Sequence, residues 1–401
     1  RFTCDKQIKH IKNSVFYLLF LKYFQQITYN NNKEKKGIKK MNIIYCDHAA
    51  TTPVKEEVLN EMISYFSMNY GNSSSIYSIG RRSKKALDTA RTRVAKAIGT
   101  DEKEIYFTSC GSESDNLAIK GIAKANNEKG KHIITSKIEH HAVLNTCKTL
   151  EKEGYEITYL NVNEKGLVDL EQLKNSIRED TILITIMFAN NEIGTIQPIK
   201  EISEIAHKSN IIFHTDAVQA VGNVKIDVNE LGIDALSMSA HKFYGPKGVG
   251  ALYIKKGIEF EKIQDGGHQE RDKRAGTENV AGIVGLGKAI EIASQNLDNY
   301  NCKLLKLRNY FINEITTRYS DIKINGDLKN RLPGNINISF PNIDGEELLL
   351  KLDRQNICAS TGSACNSGST EPSHVLKAIG LDSKYAQRFF KNYSRRAKQY
   401  R

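Results

Sequence analysis

Between residues 105 and 239 short apolar runs alternate with stretches that carry a helical period, and this alternation decides most of what the chain can fold into. The runs are 105–108, 132–135, 156–160, 181–186, 211–214 and 235–238, with a helical pattern such as 113–125 between most of them. Strands that alternate with helices predict an α/β fold, a mostly parallel sheet covered by helices on both faces. In such sheets ligands collect beyond the carboxyl ends of the strands, and the polar motifs fall there. A helical pattern from 280 to about 319 leads to a second, shorter set, a strand at 335–340 and a helix at 346–352, which predicts a smaller C-terminal α/β domain.

The most specific motif joins two strand ends. Phe213-His214-Thr215-Asp216-Ala217-Val218-Gln219 closes one strand on an acid, and Ser239-Ala240-His241-Lys242 closes another on a Ser-x-His-Lys turn that runs into glycines. A lysine amine that can reach an aldehyde, hydroxyl and imidazole donors for a phosphate, and a buried carboxylate for a pyridinium nitrogen are what pyridoxal phosphate chemistry needs. Thr108-Ser109-Cys110-Gly111-Ser112-Glu113 passes from strand through a small-residue turn into a helix, whose N-terminal N–H groups make an anion cradle. The same residues also suit an ordinary serine cap. Ile138-Glu139-His140-His141 sets an imidazole after one strand, and Ala189-Asn190-Asn191-Glu192 sets two amides after another, where turn chemistry explains them equally well.

Taken in order, these segments resemble the cysteine desulfurases of the NifS/IscS type, within the fold-type I pyridoxal phosphate enzymes. The likeness runs from Ile44 to about Gln387 and includes Tyr45-Cys46-Asp47-His48-Ala49-Ala50-Thr51-Thr52-Pro53, Tyr70-Gly71-Asn72, Arg274-Ala275-Gly276-Thr277-Glu278-Asn279 and Thr361-Gly362-Ser363-Ala364-Cys365. The resemblance implies a large domain built on a mostly parallel seven-stranded sheet. It implies pyridoxal 5'-phosphate as cofactor, with Lys242 the Schiff-base lysine, Asp216 the partner of the ring nitrogen and His140 stacked on the ring. Gln219 and Asn191 would bond the phenolic oxygen and its neighbours, and Gly111, Ser112, Ser239 and His241 would hold the phosphate. Thr277 would reach the phosphate of the other subunit of a homodimer. Ser73 and Tyr77 stand where the family usually has proline and histidine, and Cys110 where it usually has glycine.

Cys365 lies in a small, polar, glycine-containing loop whose composition suits a nucleophile better than a core thiol. It matches the family's persulfide cysteine, and a transient iron–sulfur ligand role at a partner interface follows from the same likeness. Cys46, Cys110, Cys147, Cys302 and Cys358 adjoin apolar segments and read as structural. The implied activity takes sulfur from L-cysteine and leaves L-alanine, with His140 or Lys242 moving protons. The sulfur would pass to an iron–sulfur scaffold or a tRNA-thiolation protein. A selenocysteine lyase, an aminotransferase of the same fold and an inactive cofactor-binding homologue are the alternatives, and the thiol of Cys365 argues against the aminotransferase.

The family's Gly-Ser-Leu/Ile-Arg motif, whose arginine binds the substrate carboxylate, is replaced here by Arg388-Phe389-Phe390-Lys391-Asn392-Tyr393. Either a frameshift near residue 387 has altered the tail, which then packs poorly over 388–401, or Arg388 itself is the clamp. Of the net charge of +12, residues 1–40 hold +8 and residues 384–401 hold +7, which leaves −3 for the body and does not favour a nucleic-acid surface. No C-x-x-C pair occurs among the seven cysteines, so reduced thiols in a cytoplasmic protein are expected. The apolar run at 15–21 is too short to span a bilayer. The expected organisation is a non-native or disordered extension over 1–40, Met41 being the natural start. A segment at 41–53 packs with the small domain, the cofactor domain spans 54–297, the small domain 298–387, and an aberrant tail follows.

Overall fold

The structure is a computed structural model that describes residues 43–341, 343–361, 373–382, 385 and 389–393. Its centre is a seven-stranded sheet of β2 (Ile105–Thr108), β3 (His132–Ser136), β4 (Glu156–Leu160), β5 (Thr181–Thr185), β6 (Ile212–Asp216), β7 (Ala235–Ser239) and β8 (Gly250–Ile254), in the spatial order β2-β8-β7-β6-β5-β3-β4. Only β8 runs against the rest, pairing antiparallel with both β2 and β7. Every residue of β3, β5, β7 and β8 is buried, which is why these strands read as continuous apolar or small-residue runs.

Helices cover both faces. On one, helices Ser78–Ile98, Ile199–Lys208 and Val280–Gln295 bury Leu87, Val94, Ile202 and Leu286 against Phe213, Leu236 and Tyr253. Ile199, Ile202, Ile205 and Ala206 recur at helical spacing, so one stripe of Ile199–Lys208 faces the sheet. Gly287 lets the helices Ser78–Ile98 and Val280–Gln295 touch: a Cβ there would lie 2.7 Å from the Ala90 Cα. On the other face, helices Gly111–Ala125 and His141–Lys152 bury Leu117, Ile119, Ile122 and Val143. Each such side chain removed from water contributes on the order of 2 kcal/mol.

Apart from this sheet, β9 (Lys323–Ile324), β10 (Asn335–Ser339) and β12 (Phe389–Tyr393) form a second one, and β1 (Ile44–Tyr45) pairs in parallel with β11 (Ile357–Cys358). A separate core joins Cys46, Phe311, Ile315, Ile336, Ile338 and Leu352.

Three expectations need correction. The helical pattern at 280–319 is two helices, Val280–Gln295 and Leu297–Arg318, divided at Asn296. Residues 389–393, expected to lack regular structure, form β12, which pairs antiparallel with β10 over all five of its positions. Cys302 is exposed, so it has no part in the core, whereas Cys46 and Cys147 are buried. Among the described residues no helix is long and apolar enough to cross a membrane.

Candidate active site

The strand ends converge as the sequence pattern predicts. Asp216 is the last residue of β6, and Ser239 the last of β7, from which a single 3-10 turn, Ala240–Lys242, carries the lysine. Lys242 Nζ donates to the carbonyl oxygens of Ala49 (2.5 Å) and Ala50 (2.9 Å). Gln219 Nε2 donates to the same Ala49 oxygen at 3.0 Å. The segment after β1 therefore lies over the lysine. It is fastened there by Thr52, whose N–H and hydroxyl both donate to the His241 carbonyl, at 2.9 and 2.8 Å. His241 Nδ1 lies 3.1 Å from Thr51 Oγ1. Burial, with help from Lys242 and Lys247, pulls its imidazole down to about 4, so it is neutral at physiological pH.

Asp216 is buried and accepts the Val218 N–H at 2.9 Å. Burial raises it to about 6, against the pull of that N–H and of Lys242. Two more buried carboxyls lie close by. Asp115 is pushed well above the ordinary range, by burial first and by Asp216 second. Glu139 accepts the Ser136 hydroxyl and the Met187 N–H, yet burial still lifts it to about 8. Beneath Asp216 on the same strand, His214 is bonded to Thr185 Oγ1 (2.8 Å) and Ser237 Oγ (3.0 Å), and burial drops it to about 3. Burial thus favours the protonated form of all three carboxyls, and only at Asp216 does a lysine oppose it.

A pH effect on stability follows. Glu139 has a folded pKa raised above its unfolded value, so its contribution is complete below about 4.5 and is lost as pH rises through 8. At ~1.4 kcal/mol per unit the loss is at most about 5 kcal/mol. Denaturant unfolding of cofactor-free protein should show lower stability at pH 8.5 than at pH 6, and Glu139→Gln should flatten that slope. Equal slopes for the two proteins would remove Glu139 as the cause.

The helix Gly111–Ala125 begins at the edge of this site with no side-chain hydrogen bond capping it. Gly111 is buried, and a Cβ there would lie 2.5 Å from Val218 Cγ2 and 3.5 Å from Ser239 Cβ, so glycine lets the helix end approach β6 and β7. Ser112 is exposed at the same end. His140 caps the helix His141–Lys152: its Nδ1 accepts the Ala142 N–H at 3.1 Å, which places the proton of a neutral ring on Nε2. Of the two amides in the 189–192 turn, Asn190 does the turn chemistry. Its Oδ1 accepts from Glu192 N and Ile193 N, and its Nδ2 donates to the Ile138 carbonyl, which leaves Asn191 half-buried as the site-facing candidate.

Thr277 is exposed and follows a loop with an uncommon backbone. Glu270, Arg271 and Asp272 all have positive φ (46°, 58° and 63°), a conformation that costs on the order of 1 kcal/mol or more each. Buried Glu270 offsets that cost: it takes Arg91 bidentately at 2.7 and 2.7 Å and accepts the Phe107 N–H at 2.9 Å. Arg274 then pairs with Glu113 at 2.7 Å, in the first turn of the cradle helix. Cys365 and Arg388 lie outside the described residues. Sequence reasoning missed the Ala49 and Ala50 carbonyls, Glu139, Asp115 and Glu192; backbone acceptors carry no side-chain signal, and nothing local in the sequence marks these acids as buried.

Residues 44–393 match the family model described as aminotransferase class-V. The chain is 59% identical over 340 residues to the cysteine desulfurase IscS of Clostridium botulinum (strain Hall), an overlap covering 84% of this chain and 86% of that protein. It is 58% identical over 352 residues to the cysteine desulfurase IscS of Methanosarcina thermophila, covering 88% and 87%. Among solved structures, a NifS-like protein superposes with a TM-score of 0.83 at 39% identity, covering 88% of this chain and 94% of that one. SspA in complex with cysteine superposes with a TM-score of 0.78 at 38% identity, covering 89% and 100%.

Proposed function

The chain belongs to the class-V aminotransferase family, and we propose that it works there as an L-cysteine desulfurase with pyridoxal 5'-phosphate as its cofactor. The observation that carries this reading is the meeting of Lys242 and Gln219 on the Ala49 carbonyl, with the buried Asp216 near enough to feel the Lys242 charge, beside a helix end that no side chain caps. The likeness to curated cysteine desulfurases over most of the chain supports it.

The residues present fit the cofactor. Lys242 offers an amine for its aldehyde, Asp216 a carboxylate for its ring nitrogen, and the Gly111–Ser112 N–H groups, with Ser239 and His241, donors for its phosphate. Gln219 and Asn191 stand for the phenolic oxygen and His140 for the ring face. When bound, the cofactor supplies an electron sink for bond changes at the amino acid's carbons. Lys242 Nζ and the Nε2 of His140 are the atoms that hold and move protons. Of these three carboxyls Asp216 is the one whose upward shift the Lys242 charge opposes, which suits it to meet a pyridinium charge.

The sulfur goes to Cys365. Its thiolate attacks the sulfur of L-cysteine, an S–S bond forms, and the C–S bond breaks with its electron pair staying on the substrate carbon. That carbon takes up a proton, so L-alanine leaves and Cys365 carries a persulfide. An iron–sulfur scaffold or a tRNA-thiolation protein is the acceptor class for that sulfur, and the working unit is a homodimer with Thr277 reaching the partner's phosphate site.

Cys365→Ser tests the assignment. The variant should still bind L-cysteine with the wild-type absorbance change, because the cofactor contacts are untouched. It should form no protein persulfide, and alanine release should fall by roughly 100-fold or more. Alanine and sulfide produced at the wild-type rate would rule out Cys365.

A further inference from the structure

Two serine–carboxylate bonds, one partly and one fully buried, stand at the ends of the stretch that contains Cys365. At the N-terminal end Ser360 Oγ donates to Asp47 Oδ1 at 2.7 Å. At the C-terminal end Ser373 Oγ donates to Glu192 Oε2 at 2.6 Å, with both residues 4% exposed. Each carboxylate belongs to a segment that already builds the cofactor site. Asp47 opens the turn whose Ala49 and Ala50 carbonyls receive Lys242. Glu192 follows Asn191, and its own carbonyl accepts Asn335 Nδ2 and Asn337 Nδ2 of β10 at 3.1 and 3.2 Å.

We propose that Ser360 and Ser373 are positioning residues that fix the two ends of the Cys365 segment to the cofactor site, through Asp47 and Glu192. A plain helix cap accounts for only part of Ser373. Its oxygen accepts the Val375 N–H at 3.1 Å, which satisfies the helix His374–Ala378, yet its O–H goes across to Glu192 on the large domain. The next residue repeats the pattern. His374 Nε2 donates to the Glu139 carbonyl at 2.9 Å, beside His140, and its ring lies 4.8 Å from that of His141. Behind both contacts, Val375, Leu376 and Ile379 pack on Ile138, Met187 and Ile193, the apolar residues of the same two turns. Loop closure does not demand such fastening, because its cost grows slowly with length. Fixing a nucleophile's approach does, since misplacement by about 1 Å can cost on the order of 100-fold in rate.

This inference rests on Cys365 as the sulfur carrier, and the test separates the two. In full-length, cofactor-loaded protein, Ser373→Ala and Ser360→Ala should keep the cofactor absorbance and the KM for L-cysteine. Single-turnover persulfide formation on Cys365, read by mass, should fall at least tenfold, and Ser373→Thr and Ser360→Thr should restore it. In cofactor-free protein the alanine variants should also change the alkylation rate of Cys365 severalfold. Wild-type persulfide formation in both alanine variants would overturn the proposal, as would a parallel loss of cofactor and substrate binding, which is the mark of a purely structural role. If no persulfide forms on Cys365 even in the wild type, the fault lies in the sulfur-carrier assignment, and an unchanged alkylation rate in the alanine variants would then sink the anchoring as well.

Discussion

Lys242→Ala is expected to fold, to hold no cofactor covalently and to release no alanine from L-cysteine. The side chain is half-buried, and its removal withdraws one donor from two carbonyls. Ala49 keeps its bond from Gln219, so the cost to the fold should stay within about 1–3 kcal/mol. The chemistry has no such reserve, because Lys242 is the lysine delivered by the turn that leaves β7, and Asp216 ends the neighbouring strand with its register partner Ser237 on β7. Borohydride reduction followed by peptide mapping should label Lys242 in the wild type and nothing in the variant. A label on another lysine, or alanine released by the variant at more than about a thousandth of the wild-type rate, would refute the assignment. A folded variant that binds cofactor reversibly without turnover also separates catalysis from cofactor retention, which the inactive-homologue reading needs.

The sequence carried the parts of the molecule in which local pattern and burial coincide. The buried strands β3, β5, β6 and β7 stood out because a sheet covered on both faces requires apolar residues at nearly every position. β8 was missed: Gly250-Ala251-Leu252-Tyr253-Ile254 is short, and the glycines before it read as a turn. Its antiparallel course could not be read from any local period. The Asp216 and Lys242 motifs were legible because they are contiguous with strands. Glu192 and Glu139 were not, since a carboxylate beside an Asn or His turn looks solvated in one dimension. Only the tertiary arrangement shows that Ser373, 181 residues away along the chain, takes Glu192 out of water. β12 failed for another reason. A basic, aromatic run has no clear strand alternation, yet β10 presents an edge that a neighbouring segment can pair with whatever its side chains, because the ladder uses backbone groups.

A run of exposed apolar side chains among the described residues predicts a dimer that one charge should dissolve. Leu59, Ile63, Phe66, Met68, Tyr70, Ile76 and Tyr77 are all between 44% and 89% exposed and fall within a stretch of nineteen residues, which takes in the end of the helix Glu56–Met62 and the helix Ser64–Ser67. Seven such side chains at roughly 100 Å² each would bury about 700 Å² per partner, close to the ~800 Å² of a standard specific interface. A patch of that size on a free chain would be an aggregation hazard, so a second copy is the occupant that the homodimer reading supplies. Ser73 Oγ donates to Glu278 Oε2 at 2.8 Å, which ties the apolar stretch to the loop meant to reach the partner's phosphate. Phe66 is 67% exposed and belongs to none of the buried clusters, so Phe66→Glu should leave each chain folded while burying an unpaired carboxylate in any dimer. Sedimentation equilibrium should give twice the chain mass for the wild type and the chain mass for Phe66→Glu at micromolar concentration. Cofactor affinity should fall at least tenfold alongside, because Thr277 can no longer reach across. A monomeric wild type would sink the dimer, and a monomeric variant with undiminished cofactor affinity would sink the role of Thr277.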